Sequence, residues 1–273
     1  TGPEGILVAD ATAPSLSVPA WPGSLTRFGT WAIALGVVLV ALSGPTHRFL
    51  AIGFRVALAF LAVGVLVLLA GALLAILGFL VAQVRGVPVG RGVTALAILV
   101  ALGVIGYLLS WLRSSALAPP IHEISTDLAS PPPFVALLGL RQQARAESPP
   151  GYVARPGGAE GALSVPGVQR RHYPDIRPVF LAGVPPAQAF PRVAAAVDQL
   201  GWQGVARVPD EGRIEATDTT PFFGLVDDVV VRLRAEAGGT RVDLRSKSPL
   251  DASATGRNAA RVRRFLALLT ADT

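Results

Sequence analysis

The chain has 273 residues, of which 51% are hydrophobic and 15% are charged, and its formal net charge is +6 at pH 7. It contains no cysteine, which excludes disulfides, thiolate nucleophiles, cysteine-ligated zinc and iron–sulfur clusters. No basic run is interleaved with aromatic residues, so the positive charge does not indicate nucleic-acid binding.

Residues 1–27 are predicted to form an irregular N-terminal tail. The stretch is rich in Pro, Gly, Ser and Ala, and its four prolines oppose helix formation. It has neither the charged start nor the apolar stretch of an intact signal peptide.

Three apolar segments are predicted to be transmembrane helices, over residues 28–44, 56–84 and 93–112. Pro45 is expected to end the first of them. The second contains no charged residue, and as a helix it measures about 43 Å, which exceeds the roughly 30 Å hydrocarbon core of a bilayer. It must therefore tilt or protrude.

The arginines that flank these segments do not decide the membrane orientation. One orientation places Arg27, Arg85 and Arg91 in the cytoplasm, and the reverse places Arg48, Arg55 and Arg113 there. Three charges stand against three, so the positive-inside rule favours neither orientation.

Glycines recur every seven residues on the first two predicted helices. Gly64, Gly71 and Gly78 mark one face of the second helix, and Gly29 and Gly36 mark one face of the first. Small residues let another helix approach closely in lipid. These faces are either a docking surface for another membrane protein or an internal contact between the chain's own helices, and both interpretations stay open.

Beyond a Pro-rich linker or wrapping segment at residues 114–169, residues 170–273 are predicted to form one α+β domain. Strands are expected at 177–182, 202–208, 213–218, 226–234 and 240–245, and helices at 186–200 and 256–270. Apolar and polar residues alternate in the last two strands, which indicates one buried and one wet face. The predicted fold is an antiparallel sheet backed by two helices.

Three carboxylates are candidates for a polar site on this sheet. Asp227 and Asp228 open a predicted strand near Glu215, and paired carboxylates can perform acid–base chemistry or bind a cation. They can equally form ion pairs with Arg232, Arg234 and Arg245, as is common across neighbouring strands. The structural interpretation is favoured.

A second set of polar residues surrounds the start of the last predicted helix. It can hold a phosphate or carboxylate, or it can be a polar turn that fixes the helix, which is the favoured interpretation. The set consists of Arg245, Ser246, Lys247, Ser248, Asn258 and Arg261.

No catalytic, metal or cofactor site is predicted. His47, His122 and His172 are too scattered to suggest a metal site, and no Gly-x-Ser-x-Gly motif is present. The chain is therefore expected not to be an enzyme.

The soluble half resembles the bacterial and plastid family called domain of unknown function 1499. The motifs that carry the resemblance come in the family's order: PPIHEISTDLASPPPF (119–134), HYPDI (172–176), GRIEAT (212–217), FGLVDDVVVRL (223–233), RVDLRSKS (241–248) and GRNAARVRRF (256–265). Several relatives also carry three hydrophobic segments before the domain, and plant relatives resemble thylakoid-lumen proteins. The resemblance implies a multi-pass protein of the bacterial inner membrane with a periplasmic C-terminal domain, but no activity.

The sequence departs from the family pattern in one loop. After RSKS the family continues with Arg, then Gly and Asp, where this chain has Pro249, Asp251 and Ala254. Any ligand contact that this loop makes in relatives is expected to be lost here.

The expected function is a non-enzymatic accessory or scaffolding subunit of a larger membrane assembly, with other integral membrane proteins and membrane lipids as partners. The lumenal relatives suggest a photosynthetic or respiratory complex as host. The alternative is a periplasmic module that binds a lipid or pigment in an apolar pocket, lined by Trp202, Phe222 and Phe223.

Overall fold

A computed structural model describes residues 20–119, 121–143, 165–248 and 256–271. Most of the predicted tail, the second half of the predicted linker and the departing loop with Pro249, Asp251 and Ala254 lie outside these residues. The chain divides into two compact units, Thr1–Ser43 with Phe54–Gly106, and Gly44–Gly53 with Tyr107–Thr273. Each unit is described by itself.

Three long apolar helices open the described part of the chain: α1 (Trp21–Leu50), α2 (Phe54–Val84) and α3 (Arg91–Leu117). All three are long and apolar enough to cross a membrane. Their packed residues, Ile33 on α1, Leu68, Ala72 and Ala75 on α2, and Ala101 on α3, form one apolar cluster. The first unit is thus a three-helix bundle.

The predicted ends of the first helix were wrong on both sides. α1 begins at Trp21, inside the predicted irregular tail. Pro22 does not prevent this start, because a proline in the first helical turn removes no intrahelical hydrogen bond. The helix also continues through Pro45 to Leu50. A proline inside a helix removes one backbone hydrogen bond, and here the helix continues on both sides of Pro45. The helix ends instead at Leu50, and the next residue, Ala51, has a positive φ of 53°.

The α+β fold predicted for the C-terminal part is confirmed. Its elements are β1 (Glu123–Ser125), α4 (Ala136–Gln143), α5 (Val165–His172), β2 (Val179–Ala182), α6 (Pro186–Gln199), β3 (Gln203–Val208), β4 (Arg213–Thr219), β5 (Val226–Glu236), β6 (Gly239–Lys247) and α7 (Arg257–Ala271). The strands form one antiparallel sheet in the order β1-β6-β5-β4-β3, and β2 pairs with β6 beside β1.

Helices α6 and α7 cover one face of the sheet. Val229 and Val231 of β5 belong to the apolar core there, together with Val197 of α6 and Phe265 of α7. The Trp202 ring stacks on Phe265, with ring centroids 5.7 Å apart. This core is the buried face that the alternation predicted.

The opposite face of the sheet was predicted to be wet, and that prediction was wrong. Residues 121–143, here called the covering segment, contribute β1 and α4 to the domain. Phe134 and Leu137 of this segment pack on Val230 of β5. The first half of the predicted linker is therefore part of the fold, and it encloses the charged side chains of this second face.

Candidate functional site

The two sheet faces separate the charged residues that the sequence placed together. Successive side chains of a strand point to opposite faces, so Asp227 and Asp228 cannot converge on one ligand. The register pairs Asp228 with Lys247 and Val229 with Ser246. Asp227 and Ser246 therefore lie on the helix face, while Asp228 and Lys247 lie under the covering segment.

Arg261 of α7 is the centre of the polar cluster on the helix face. Its guanidinium donates to the carboxylate of Asp218 at 2.6 Å and to that of Asp227 at 2.7 Å. It also donates to Ser246 Oγ at 2.9 Å and to Asn258 Oδ1 at 2.6 Å. The Arg261 side chain is only 2% exposed. The partners of this cation are thus groups of the chain itself.

Asn258 extends the same cluster to the start of the covering segment. Its amide nitrogen donates to the carbonyl oxygen of His122 at 2.8 Å and to Ser248 Oγ at 3.1 Å, and its Oδ1 accepts from Ser246 Oγ at 2.9 Å. The predicted anion site is therefore only partly assembled. Four of its six residues meet here, and they join α7 to β6, as the polar-turn interpretation expects.

Glu215 of β4 is buried on the opposite face, beneath the start of α4. Its carboxylate accepts hydrogen bonds from the backbone N–H groups of Val135, Ala136 and Leu137, at 3.1, 2.9 and 2.9 Å. Arg213 also donates to it. A negative charge at a helix N-terminus satisfies free N–H groups and interacts favourably with the helix dipole. Glu215 thus fixes the covering segment to the sheet.

Arg141 fixes the other end of α4 to the sheet. It forms an ion pair with Asp228, and both side chains are only 5% exposed. Its guanidinium also lies 4.9 Å from the centre of the Phe134 ring, and that of Arg245 lies 4.7 Å from the same ring. The Phe134 ring therefore contacts two buried cations.

Glu123 of β1 supplies the negative charge opposite the last strand. It accepts a hydrogen bond from Arg245 Nε, and its carboxylate lies 3.6 Å from Lys247 Nζ. Arg245 also donates to the carbonyl oxygen of Pro132 at 3.0 Å. Arg245 and Lys247, two residues of the predicted anion site, are thus bound by the covering segment.

The more exposed end of this face holds two carboxylates among three arginines. Asp243 accepts hydrogen bonds from Arg232, Arg234 and Arg241 at 2.9, 3.1 and 2.9 Å. Asp127 of the covering segment accepts from Arg232 at 3.0 Å and from Arg234 at 3.1 Å. Ion pairs were the favoured interpretation of this region. The partners of Arg232 and Arg234, however, are these two aspartates and not the predicted Asp227 and Asp228.

Burial shifts the protonation of several of these groups. It raises the pKa of Asp228, and the charge of Arg141 only partly opposes this shift. Burial lowers the pKa of Lys247, with Glu123 opposing the shift and the nearby cations adding to it. For Asp127 burial also acts upwards, but the Ser130 N–H bond and the arginines outweigh it, so its pKa lies below the ordinary value.

The raised pKa of Asp228 predicts a specific pH dependence. The folded protein binds the Asp228 proton more tightly than the unfolded chain does, so ionisation of Asp228 costs stability. As pH rises from 3.8 through the folded pKa, the wild type should lose stability relative to Asp228→Asn. The loss is about 1.4 kcal/mol for each unit between the two pKa values. Urea unfolding of the full chain in detergent, read by pulse proteolysis, measures it.

Asp175 provides a control of opposite sign. Its hydrogen bond from Arg263 holds the pKa of Asp175 below the ordinary value. The wild type should therefore gain stability relative to Asp175→Asn as pH rises towards 3.8, and the gain should be small because the pair is half exposed. A stability difference between wild type and Asp228→Asn that is constant with pH contradicts the Asp228 prediction.

The glycines predicted as a docking face lie in the contact between α1 and α2. A Cβ atom added to any of them meets the partner helix: Ala75 for Gly29, Leu68 for Gly36, Val40 for Gly64, Ile33 for Gly71 and Thr26 for Gly78. The chain's own helices thus occupy these faces, as the internal-packing interpretation proposed. They are not free for another protein.

The aromatic residues predicted to line an apolar pocket are not brought together around one. Trp202 is 5% exposed and belongs to the filled core. Phe222 and Phe223 lie on the connection between β4 and β5, with ring centroids 4.8 Å apart in an edge-to-face arrangement. Among the described residues, no group of three or more His, Asp or Glu side chains is placed to hold a metal ion.

Sequence reasoning missed the contribution of Glu123, Asp127, Phe134 and Arg141, because they fall in the segment predicted as a linker. The sequence did contain a signal for them. The first of the family motifs is PPIHEISTDLASPPPF, which contains Glu123, Asp127 and Phe134. A motif that precedes the predicted domain indicates that the domain itself begins earlier.

The chain combines three helices able to span a membrane with an antiparallel α+β domain. In this class of protein, as the chain shows it, the covering segment encloses the charged face of the sheet. Residues 123–269 match the profile of a family described as protein of unknown function (DUF1499). The chain belongs to this family. The matched region begins at Glu123, so it includes residues 123–143 of the covering segment. Neither the curated proteins nor the solved structures gave a match.

Proposed function

We propose that this protein is a non-enzymatic accessory or scaffolding subunit of a larger membrane protein complex, in which α3 contacts the partner. The proposal rests on one observation, the small-residue surface of α3 that the bundle leaves open. It places the protein in a bacterial inner membrane with the α+β domain on the periplasmic side, as the likeness to lumenal relatives suggests.

Helix α3 contacts the bundle along one stripe only. Thr94 and Ala101 are buried there, and Val104 packs beside them. On the outer side, a Cβ atom added to Gly103 or Gly106 meets no atom of the described residues within 4 Å. Residues three apart lie on the same side of a helix, and small residues allow the backbone of a second helix to approach closely. A helix of another membrane protein therefore fits this surface.

Replacing both glycines by leucine tests the role of α3. The full chain, carrying an affinity tag, is extracted from its native membranes in mild detergent and sized with its co-purifying proteins. We expect wild type to migrate in a larger complex, and Gly103→Leu combined with Gly106→Leu to lose at least tenfold of the co-purified partner. Unfolding of the variant should match wild type, because both positions face outward.

Gly71→Leu is the matched control. The same change on α2 places a side chain where an added Cβ already lies 2.7 Å from the Ile33 backbone nitrogen. It should therefore destabilise the bundle by about 1–3 kcal/mol as well as reduce complex formation. A wild-type chain that is extracted alone, as a monomer, contradicts the proposal.

A second candidate function, binding of a lipid or another apolar small ligand, is favoured by a groove in the helical unit and not by the α+β domain. The groove has a volume of about 730 Å³ and is lined by residues of α1, the α2–α3 loop and the start of α3, including Arg27, Trp31, Val87, Pro88 and Val93. An apolar surface with one cation and one indole ring fits an amphipathic lipid.

Native mass spectrometry of the full chain released from nanodiscs distinguishes the two candidate functions. A retained lipid that is lost in Arg27→Ala favours the lipid-binding function.

A further inference from the structure

The connection between β4 and β5 differs in composition from the β3–β4 and β5–β6 connections. Residues 219–226 read TTPFFGLV and contain no charged side chain. The β3–β4 connection, by contrast, contains Asp210 and Glu211, and the β5–β6 connection is the short pair Ala237 and Gly238. Consecutive antiparallel strands place these connections at alternate ends of the sheet. The apolar β4–β5 connection therefore lies at the end of the sheet opposite the charged β3–β4 connection.

The apolar connection, here called the β4–β5 hairpin, exposes two of its large side chains. Phe222 is 42% exposed and Val226 is 46% exposed. Bonds within the hairpin fix its turn. The Thr220 N–H donates to the Leu225 carbonyl oxygen at 2.8 Å, the Leu225 N–H donates to Thr220 Oγ1 at 2.8 Å, and the Gly224 N–H donates to the Thr220 carbonyl oxygen at 3.0 Å. These three pairs reduce the number of backbone polar groups that lose water when the turn leaves bulk solvent.

The chain enters the domain at the same end of the sheet. Helix α3 ends at Leu117, and β1 begins six residues later at Glu123. Glu123 pairs with Lys247, which pairs on its other side with Asp228, next to the hairpin. Six residues span at most about 20 Å. The hairpin end of the sheet therefore lies close to the point where the chain leaves α3.

The hairpin also contacts Gly44–Gly53, the residues between the apolar parts of α1 and α2 that cluster with the α+β domain. A Cβ atom added to Gly44 lies 2.6 Å from the Phe222 ring, and Arg48 donates to the Pro221 carbonyl oxygen. Residues that connect two membrane-spanning helices must lie at a membrane surface. Beside the hairpin, Phe49 and Leu50 are exposed.

From these observations we propose that the β4–β5 hairpin is a membrane-binding surface, with Phe222, Phe223 and Val226 inserted at the boundary between lipid headgroups and acyl chains. Aromatic side chains favour this depth, and the exposed guanidinium of Arg48 lies where it meets lipid phosphates. The hairpin fixes the domain to the bilayer independently of any protein partner, so this inference does not depend on the proposed function.

The absence of cysteine from the sequence makes a direct test possible, because one introduced cysteine carries a nitroxide label without background. Phe222→Cys and, separately, Val226→Cys label the hairpin. Phe180→Cys is the matched control, since Phe180 is 45% exposed but lies on β2, opposite Arg241. The full chain is reconstituted in vesicles of phosphatidylcholine and phosphatidylglycerol, and collision rates with oxygen and with a water-soluble nickel chelate are measured by power saturation.

Labels at 222 and 226 should collide at least several-fold more often with oxygen than with the nickel chelate, because oxygen concentrates in the bilayer. The label at 180 should show the reverse preference. A hairpin label that behaves like the one at 180 shows that the hairpin lies in water and overturns the proposal. A label that neither reagent reaches shows burial against protein and overturns it equally. Unchanged proteolysis patterns confirm that each labelled chain is folded.

Discussion

Replacing Arg261 by methionine is expected to lower the free energy of unfolding of the α+β domain by about 3–5 kcal/mol. Methionine fills a similar volume but leaves Asp227, which is 2% exposed, without its closest cation. Arg257, 3.6 Å from the same carboxylate, offsets only part of this loss. Urea unfolding of the full chain in mild detergent, read by pulse proteolysis, measures the change.

Arg263→Met is the matched control, two residues further along the same helix. Its ion pair with Asp175 is about half exposed, so its removal should cost at most about 1 kcal/mol. Combining Arg261→Met with Asp227→Asn should recover part of the lost stability, because the uncompensated charge is then gone. Equal losses for Arg261→Met and Arg263→Met contradict the prediction, since they require Asp227 to be solvated.

Glu215→Gln should release the covering segment while the rest of the domain stays folded. An amide has one accepting oxygen in place of two, and its NH₂ group faces the N–H groups of α4 that the carboxylate accepted. Losing charge-assisted bonds at a buried helix start should cost about 3 kcal/mol. Hydrogen exchange of the amides of Val135, Ala136 and Leu137 should then accelerate by about 100-fold, a tenfold change for each 1.4 kcal/mol.

Glu211→Gln is the matched control for Glu215→Gln, because it makes the same chemical change at an exposed partner of Arg213. Glu211 also pairs with Arg213, at 2.8 Å, but its side chain is 57% exposed and no bond to α4 is found among the described contacts. Its substitution should leave exchange in α4 within about threefold of wild type, because an exposed ion pair contributes little. If both variants accelerate exchange alike, Arg213 and not the Glu215 carboxylate holds the segment.

Local patterns in the sequence were sufficient for most of the architecture. Uninterrupted apolar runs predicted three helices, and the structure has them. Alternation predicted β5 and β6, whose paired Val231 and Leu244 do lie in the core. The seven-residue spacing of the glycines also predicted a close helix contact, but spacing alone does not identify the helix that makes this contact.

The features that could not be predicted from the sequence depend on contacts between residues that are far apart in the chain. Glu123 and Arg245 are 122 positions apart, and neither one indicates the other. Asp227 and Asp228 looked like a pair because they are adjacent, although strand geometry sends adjacent side chains to opposite faces. Pro45 is predicted to end the first helix because proline has a strong local preference against helix interiors, yet α1 continues through it to Leu50.

The early place of β1 in the chain has a consequence for biogenesis. A ribosome adds Glu123 more than a hundred residues before Arg245, its partner on β6. At 5–20 residues per second this interval lasts about 6–24 s. Throughout that time β1 lacks the strand with which it pairs, because β6 has not yet been made. Pairing of β1 with the sheet is therefore a late event that follows the synthesis of β6.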